Sequence, residues 1–311
     1  MSVAVLFPGQ GSQVVGMGAE LFETRPDLLG ETADDVLGWS LRRVCLNGPE
    51  ESLTRTEHAQ AALFAVSYAM WEEFRAAYDG AISGAAGHSL GEYTALCAAG
   101  ALSFADGLRV VARRGEAMAA AADLEPSGMA AVIGADAELA NRMAARRRDE
   151  GGRLEVANVN APGQVVVAGS AEDIEWVSEN ATDLGVRRVI PLKVAGAFHS
   201  SFMEPAADAV GRALSGIAFT DPRFPVWSNT TAQPHHTDQL ASTLRSQMVS
   251  TVRFEESLGN MAASGISTFV HIGPGDVTAA MARRTVDGAT IHAISELADI
   301  PAVAHSLVTV T

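Results

Sequence analysis

The chain has 311 residues, room for about two domains at ~150 residues each, and 48% of them are apolar, which excludes a disordered polymer. Its 22 basic and 37 acidic residues leave a formal charge of −15. Nucleic acid and anionic membrane are polyanions, so neither suits such a chain as a partner.

Val3 to Phe7 is a short apolar, β-branched run stopped by Pro8 and Gly9, which predicts a buried strand ending in a turn. This start, MSVAVLFPGQGSQ, lacks the basic region and long apolar run of a signal peptide. No apolar run reaches the ~18 residues of a membrane-spanning helix, so a cytoplasmic protein is expected. Ala59 to Ala77 is apolar at helical spacing through Leu63, Val66, Met70 and Phe74, and predicts a core helix. Ile82 to Ala86 reads as a strand and Glu92 to Ala99 as a helix. Ser103 and Asp106 predict an N-terminal cap for a helix running to about Ala121.

Pro126 to Gly128 breaks the chain. Beyond it come a strand (Met129 to Ile133), a helix (Glu138 to Arg148) and two strands (Glu155 to Asn160, Gln164 to Ala168). A helix (Ala171 to Leu184) and a strand (Arg187 to Val194) follow. The order β-α-β-β-α-β is that of a split βαβ, or ferredoxin-like, unit. Strands at Pro225 to Ser228 and Thr268 to Ile272, and helices at Asp238 to Met248 and Phe254 to Ala263, complete the reading. The fold class expected is α/β: a large α/β-hydrolase-like domain with a parallel sheet (residues 1–125 and 195–311) and an inserted small ferredoxin-like subdomain (126–194). Cys45 and Cys97 make neither a disulfide framework nor a zinc-ligand set; each reads as a small buried side chain. No metal is expected.

Gly87-His88-Ser89-Leu90-Gly91 fits the G-x-S-x-G nucleophile turn, here between a predicted strand and a predicted helix. The glycines allow close backbone approach, and the following helix presents free N–H groups to developing negative charge. A serine needs a base. His88 is adjacent but on the wrong side of the turn. His199 and His271 each stand near the end of a predicted strand, where an α/β sheet binds ligands, and both stay open. His235 and His236 sit in a polar stretch and read as exposed. On the Ser103 helix, Gly107, Val110, Val111, Arg114, Ala117 and Met118 share one face, so Arg114 points inward among apolar neighbours. A buried guanidinium needs an anion, either a protein carboxylate or a ligand.

Six segments carry a resemblance: Phe7 to Gln13 (FPGQGSQ), Gly87 to Tyr93 (GHSLGEY), Arg113-Arg114-Gly115, Asn158 to Gln164 (NVNAPGQ), Gly196 to His199 (GAFH) and Ile272 to Gly275 (IGPG). In this order the chain resembles the malonyl-CoA:acyl carrier protein transacylases and the acyltransferase domains of polyketide synthases, over essentially its whole length. The resemblance implies Ser89 as nucleophile and His199 as base. It implies Gln10 and Leu90 as backbone oxyanion donors, and Arg114 as the ligand of the malonyl carboxylate. The Gln247 carbonyl would orient the histidine, and Asn160 and Gln164 would line or brace the pocket. Phe198 would crowd a branched acyl group and favour malonyl over methylmalonyl. The substrates implied are malonyl-CoA and the phosphopantetheine thiol of an acyl carrier protein, in fatty acid or polyketide synthesis, with no bound cofactor and a monomeric enzyme. Rival expectations are a trans-acting polyketide acyltransferase with another acyl donor, and a serine thioesterase. Carrier docking on so acidic a protein needs a local basic patch, and Arg146 to Arg148, Arg153, Arg187, Arg188 and Lys193 are the candidates.

Overall fold

The computed structural model describes residues 2–309. Its strands in chain order are β1 (Val3–Phe7), β2 (Ile82–Gly87), β3 (Ser127–Ile133), β4 (Glu155–Ala161), β5 (Gln164–Ser170), β6 (Arg188–Pro191), β7 (Val226–Trp227), β8 (Val252–Arg253), β9 (Thr268–Ile272) and β10 (Thr290–Ile294). They form two sheets.

The first sheet runs β10-β9-β1-β2-β7, and every neighbouring pair is parallel. A parallel sheet is buried on both faces, and β1 is buried at all five residues. The period of two splits it cleanly. Val3, Val5 and Phe7 join the core built by helices Thr56–Ala77 and Phe104–Ala122, while Ala4 and Leu6 join a separate cluster with Phe254, Leu258, Phe269 and Met281. The chain steps from β1 to β2 on one side, and β9 takes its place on the other. The strand order therefore switches between β1 and β9, and the crevice beyond the C-terminal ends of the strands around β1 is the natural ligand site.

The second sheet runs β6-β3-β5-β4-β8. Its first four strands are antiparallel in the split βαβ order, as expected. The fifth, β8, was not expected: it comes from residues 252–253 and pairs parallel to β4. Ala130 and Val132 of β3 face a core of their own with Met143, Leu154, Val165 and Val177. The alternate residues Met129 and Ala131 face the other way and line a cavity.

Three predicted elements are shorter in the structure. The helix expected to Leu184 ends at Glu179, because the chain must turn to bury Leu184 and Val186 in the second core. The strand expected over Arg187 to Val194 pairs only at Arg188–Pro191, and Leu192, Lys193 and Val194 leave the sheet to line the cavity. The helix expected from Asp238 begins as a 3-10 turn and is α-helical over Leu240–Gln247. Among the described residues no helix is long and apolar enough to cross a membrane.

Candidate active site

Ser89 stands in the turn between β2 and helix Gly91–Ala98 with φ +51°, a left-handed conformation costly for a residue with a side chain. The flanking glycines permit it. A Cβ on Gly87 would lie 1.9 Å from the Gly91 carbonyl, and one on Gly91 would lie 2.3 Å from the Phe7 carbonyl oxygen. The turn thus closes onto the end of β1, and Gln10 and Ser89 line the same cavity of about 500 Å³.

Hydrogen-bond logic assigns every proton at the centre. His199 Nδ1 is 2.9 Å from the Gln247 carbonyl oxygen, which only accepts, so Nδ1 carries the hydrogen. Nε2 is then a bare acceptor, 2.7 Å from Ser89 Oγ. Arg114 Nη2 donates to the same Oγ at 2.9 Å. The guanidinium cannot accept, so the serine hydrogen turns to His199. The arrangement is a serine poised to lose its proton to an oriented imidazole, with a main-chain carbonyl in the place where many triads have a carboxylate.

Arg114 faces inward from helix Phe104–Ala122 at 1% exposure. Its partners are all neutral: Gln60 Oε1 at 2.6 Å, Gln247 Oε1 at 3.0 Å and Ser89 Oγ. Its Nε has no acceptor among the described residues, and its pairing with a protein carboxylate, open from the sequence, does not occur among them. A buried cation with no carboxylate in contact, facing a cavity, could receive an anion.

The remaining expected residues sort as follows. Gln10, Phe198, Asn160 and Gln164 all line the cavity. Asn160 Oδ1 lies 2.7 Å from His88 Nε2 and braces the serine turn against the second sheet. Gln164 accepts from Arg284 at 3.4 Å. The backbone N–H groups of Gln10 and Leu90 find no acceptor among the described residues, and Leu90 caps helix Gly91–Ala98. His271 is no rival base: it is fully buried, with Nδ1 held by Thr278 Oγ1 at 2.6 Å and Nε2 by the Gly273 carbonyl at 2.9 Å. His235 corrects the sequence reading. Its side chain is 2% exposed and lies 2.5 Å from Glu92 Oε1, because the Pro234 segment folds back along β7. His236 is exposed as expected.

The family model for the acyl transferase domain matches residues 5–303. The chain belongs to the acyl transferase domain family. Among curated relatives, a malonyl CoA-acyl carrier protein transacylase of Bacillus subtilis is 42% identical over 287 residues, covering 91% of this chain and 90% of that protein. The acyl-carrier-protein-S-malonyltransferase of Bartonella henselae superposes with a TM-score of 0.92 at 36% identity, over 99% of both chains. A malonyl-transacylase solved in complex with its type II polyketide synthase acyl-carrier protein superposes equally well, with a TM-score of 0.92 at 34% identity, over 98% of this chain and 100% of that one.

In this acyl transferase, burial and the nearby Arg114 cation push the His199 pKa from 6.5 down to about 3. His199 therefore stays neutral where a free histidine would protonate. Acyl-enzyme formation, followed by rapid quench across pH, is expected to show no inflection near 6.5 in kcat/KM; an inflection there would mean that His199 titrates normally. The stability effect has a definite sign. The unfolded chain takes up this proton first as pH falls, so His199 supports the fold above about 6.5 and undermines it progressively towards 3.

Three polar residues of the site, Gln60, Glu92 and Asn229, have no site role in the sequence reading, and a fourth, His235, is misread there as exposed. Gln60 is polar within the buried stretch Ala59 to Val66 of helix Thr56–Ala77, a signal that it has a buried partner. Glu92, buried among Leu90, Tyr93 and Leu96, carried the same signal. Asn229 and His235 carried none, because their loop is polar throughout.

Proposed function

We propose that this chain is a malonyl-CoA:acyl carrier protein transacylase working through a Ser89 ester. The observation that carries the reading is Arg114: a buried guanidinium that touches no protein carboxylate among the described residues, 2.9 Å from the nucleophile's oxygen. A malonyl group has its free carboxylate two bonds beyond the reacting carbonyl, so one acyl group reaches both.

Ser89 Oγ attacks the thioester carbon of malonyl-CoA, and its proton passes to His199 Nε2. The carbonyl oxygen takes the negative charge and accepts from the Gln10 and Leu90 N–H groups. The C–S bond breaks, the coenzyme A sulfur leaves with the proton from His199, and the malonyl group remains as an ester of Ser89. The phosphopantetheine thiol of the carrier protein then gives its proton to His199 and attacks the ester, and Ser89 leaves with that proton. No cofactor enters either half. Arg114 holds the carboxylate throughout, and Phe198 crowds the carbon between the two carbonyl groups. The cytoplasm, which holds coenzyme A thioesters and carrier proteins, suits this reaction, in fatty acid or polyketide synthesis.

Residues 1–125 and 195–311 are read as the catalytic domain and 126–194 as the smaller one, with the cavity between them and β8 lent to the smaller sheet. Of the basic candidates for carrier docking, Arg146, Arg147 and Arg153 are committed to Glu150, Asp173 and Glu125, and Arg148 donates to the Leu154 carbonyl. Arg187 and Arg188 stay exposed at the start of β6, and Lys193, past its end, lines the cavity. Charge reversal at Arg187 and Arg188 is expected to raise KM for the carrier protein, more so at low salt, with loading from malonyl-CoA intact; an unchanged KM removes them from the docking face.

The test of the whole reading is intact mass after brief exposure to malonyl-, methylmalonyl- and acetyl-CoA. The expected result is one malonyl adduct, removed by holo carrier protein. Methylmalonyl loading should be slower by roughly 10–200-fold, the effect of one badly placed methyl group. An adduct only from another donor would keep the serine and overturn the substrate.

A further inference from the structure

Behind the serine turn lies a polar cluster that the reaction scheme does not use. Glu92, in the first turn of helix Gly91–Ala98, is wholly buried. Its Oε1 faces His235 Nε2 at 2.5 Å. Its Oε2 accepts from Gln247 Nε2 at 2.7 Å and from the Asn229 backbone N–H at 3.1 Å. A buried carboxylate is expensive to keep, and here every contact is a donor.

The influence of this group travels through amides with two unlike ends. A carboxylate only accepts, so the end of Gln247 that faces it must be the NH2 group. That leaves Gln247 Oε1 to face Arg114, whose Nη2 donates to it at 3.0 Å. The same NH2 donates to the Ser89 carbonyl at 2.9 Å. Asn229 completes the cradle. Its Oδ1 accepts the Ser89 N–H and its Nδ2 donates to the Gly87 carbonyl, both at 2.7 Å.

We infer that Glu92, seated by His235, is a positioning residue for acyl-group selection: it sets the polarity of Gln247 and so holds the Arg114 guanidinium where it meets the free carboxylate of the substrate. The inference rests on the malonyl reading above. Glu92 itself touches no substrate. In Glu92→Gln the amide oxygen still meets the Asn229 N–H and the Gln247 NH2, but the charge is gone and a neutral oxygen accepts more weakly. The Gln247 side chain is then held less firmly, and the guanidinium it seats loses part of its fixed position. His199 is spared, because its partner is the main-chain carbonyl of Gln247, which does not turn with the side chain.

The experiment compares loading rates from malonyl-CoA and acetyl-CoA, by intact mass, in wild type, Glu92→Gln, His235→Phe and His235→Gln. The malonyl-to-acetyl ratio is expected to fall roughly tenfold or more in Glu92→Gln, with acetyl loading nearly unchanged. His235→Phe should lower the ratio less, and His235→Gln, which keeps a donor, should recover part of it. A merely structural role would slow both donors together, and that result, or an unchanged ratio, overturns the inference. If circular dichroism finds Glu92→Gln unfolded, the two His235 variants decide alone: equal ratios in both and in wild type refute it. Failure of wild type to load malonyl is a distinct outcome, which defeats the transferase reading and the inference with it.

Discussion

Ser89→Ala is expected to leave no covalent adduct with any acyl-CoA and to lower turnover by about 10⁴-fold or more. The size follows from the unit the serine belongs to. Among the described residues Oγ is the one atom that receives both the His199 and the Arg114 contacts, at 2.7 and 2.9 Å. Without it the imidazole has no proton to take, and the ping-pong sequence has no place to store the acyl group. His199→Ala should cost nearly as much, and the double variant little more than either single one, because residues acting as one unit are strongly non-additive. Intact mass and steady-state rates measure both. A stable adduct on the Ser89→Ala protein would mean that another residue carries the acyl group. The fold should tolerate the change. Alanine retains the Ser89 N–H bond to Asn229 and the carbonyl bond to Gln247, although it keeps the strain of φ +51°.

Arg114→Ala is expected to reverse the acyl preference rather than abolish chemistry. A site built around a charged, two-pronged partner rejects a ligand lacking its match by up to ~10⁴-fold or more, and deleting the receptor forfeits the same selection. Malonyl loading should fall by about 10³-fold or more in kcat/KM, while acetyl loading holds or rises. A second effect comes with it. The Arg114 cation is the second cause, after burial, of the low His199 pKa. Removing it lets that pKa climb toward its ordinary 6.5, so an acid limb should move up in the pH profile of the variant. The two readouts are separable, and a variant that kept both malonyl preference and the wild-type pH profile would rule out Arg114 as the carboxylate ligand. Melting temperature serves as the control, since the change orphans Gln60 Oε1 but also relieves a buried charge.

Much of the fold was legible because its elements bury whole faces. The run Val3–Phe7 could only be a strand covered on both sides, and the helix opened by Ser103 is capped by it at 3.1 Å to the Asp106 N–H. The order of elements between Pro126 and Val194 was enough for the ferredoxin-like sheet. What escaped were short pieces with little face to bury. The segment between Leu21 and Thr54 forms several helices of four to seven residues, below the length at which periodicity speaks. Helices Glu204–Leu214 and Val277–Thr285 and the edge strand β10 were likewise passed over, and β10 is half exposed, so its pattern is weak.

By itself the sequence determined the chemistry available. A serine between glycines, an arginine on an apolar face and a histidine after a strand are local patterns, and local physics makes them readable. It also determined the overall architecture, through where apolar residues recur. Only the tertiary structure decided which groups meet. His199 and His271 stood on equal terms by their residues alone. The fold sets one 2.7 Å from Ser89 Oγ and locks the other between Thr278 and Gly273. His235 looked like a loop histidine and is buried against Glu92, 143 residues away in sequence. Polar contacts over such separations depend on angles and distances of a few tenths of an ångström, which packing of the whole chain settles and no local pattern encodes.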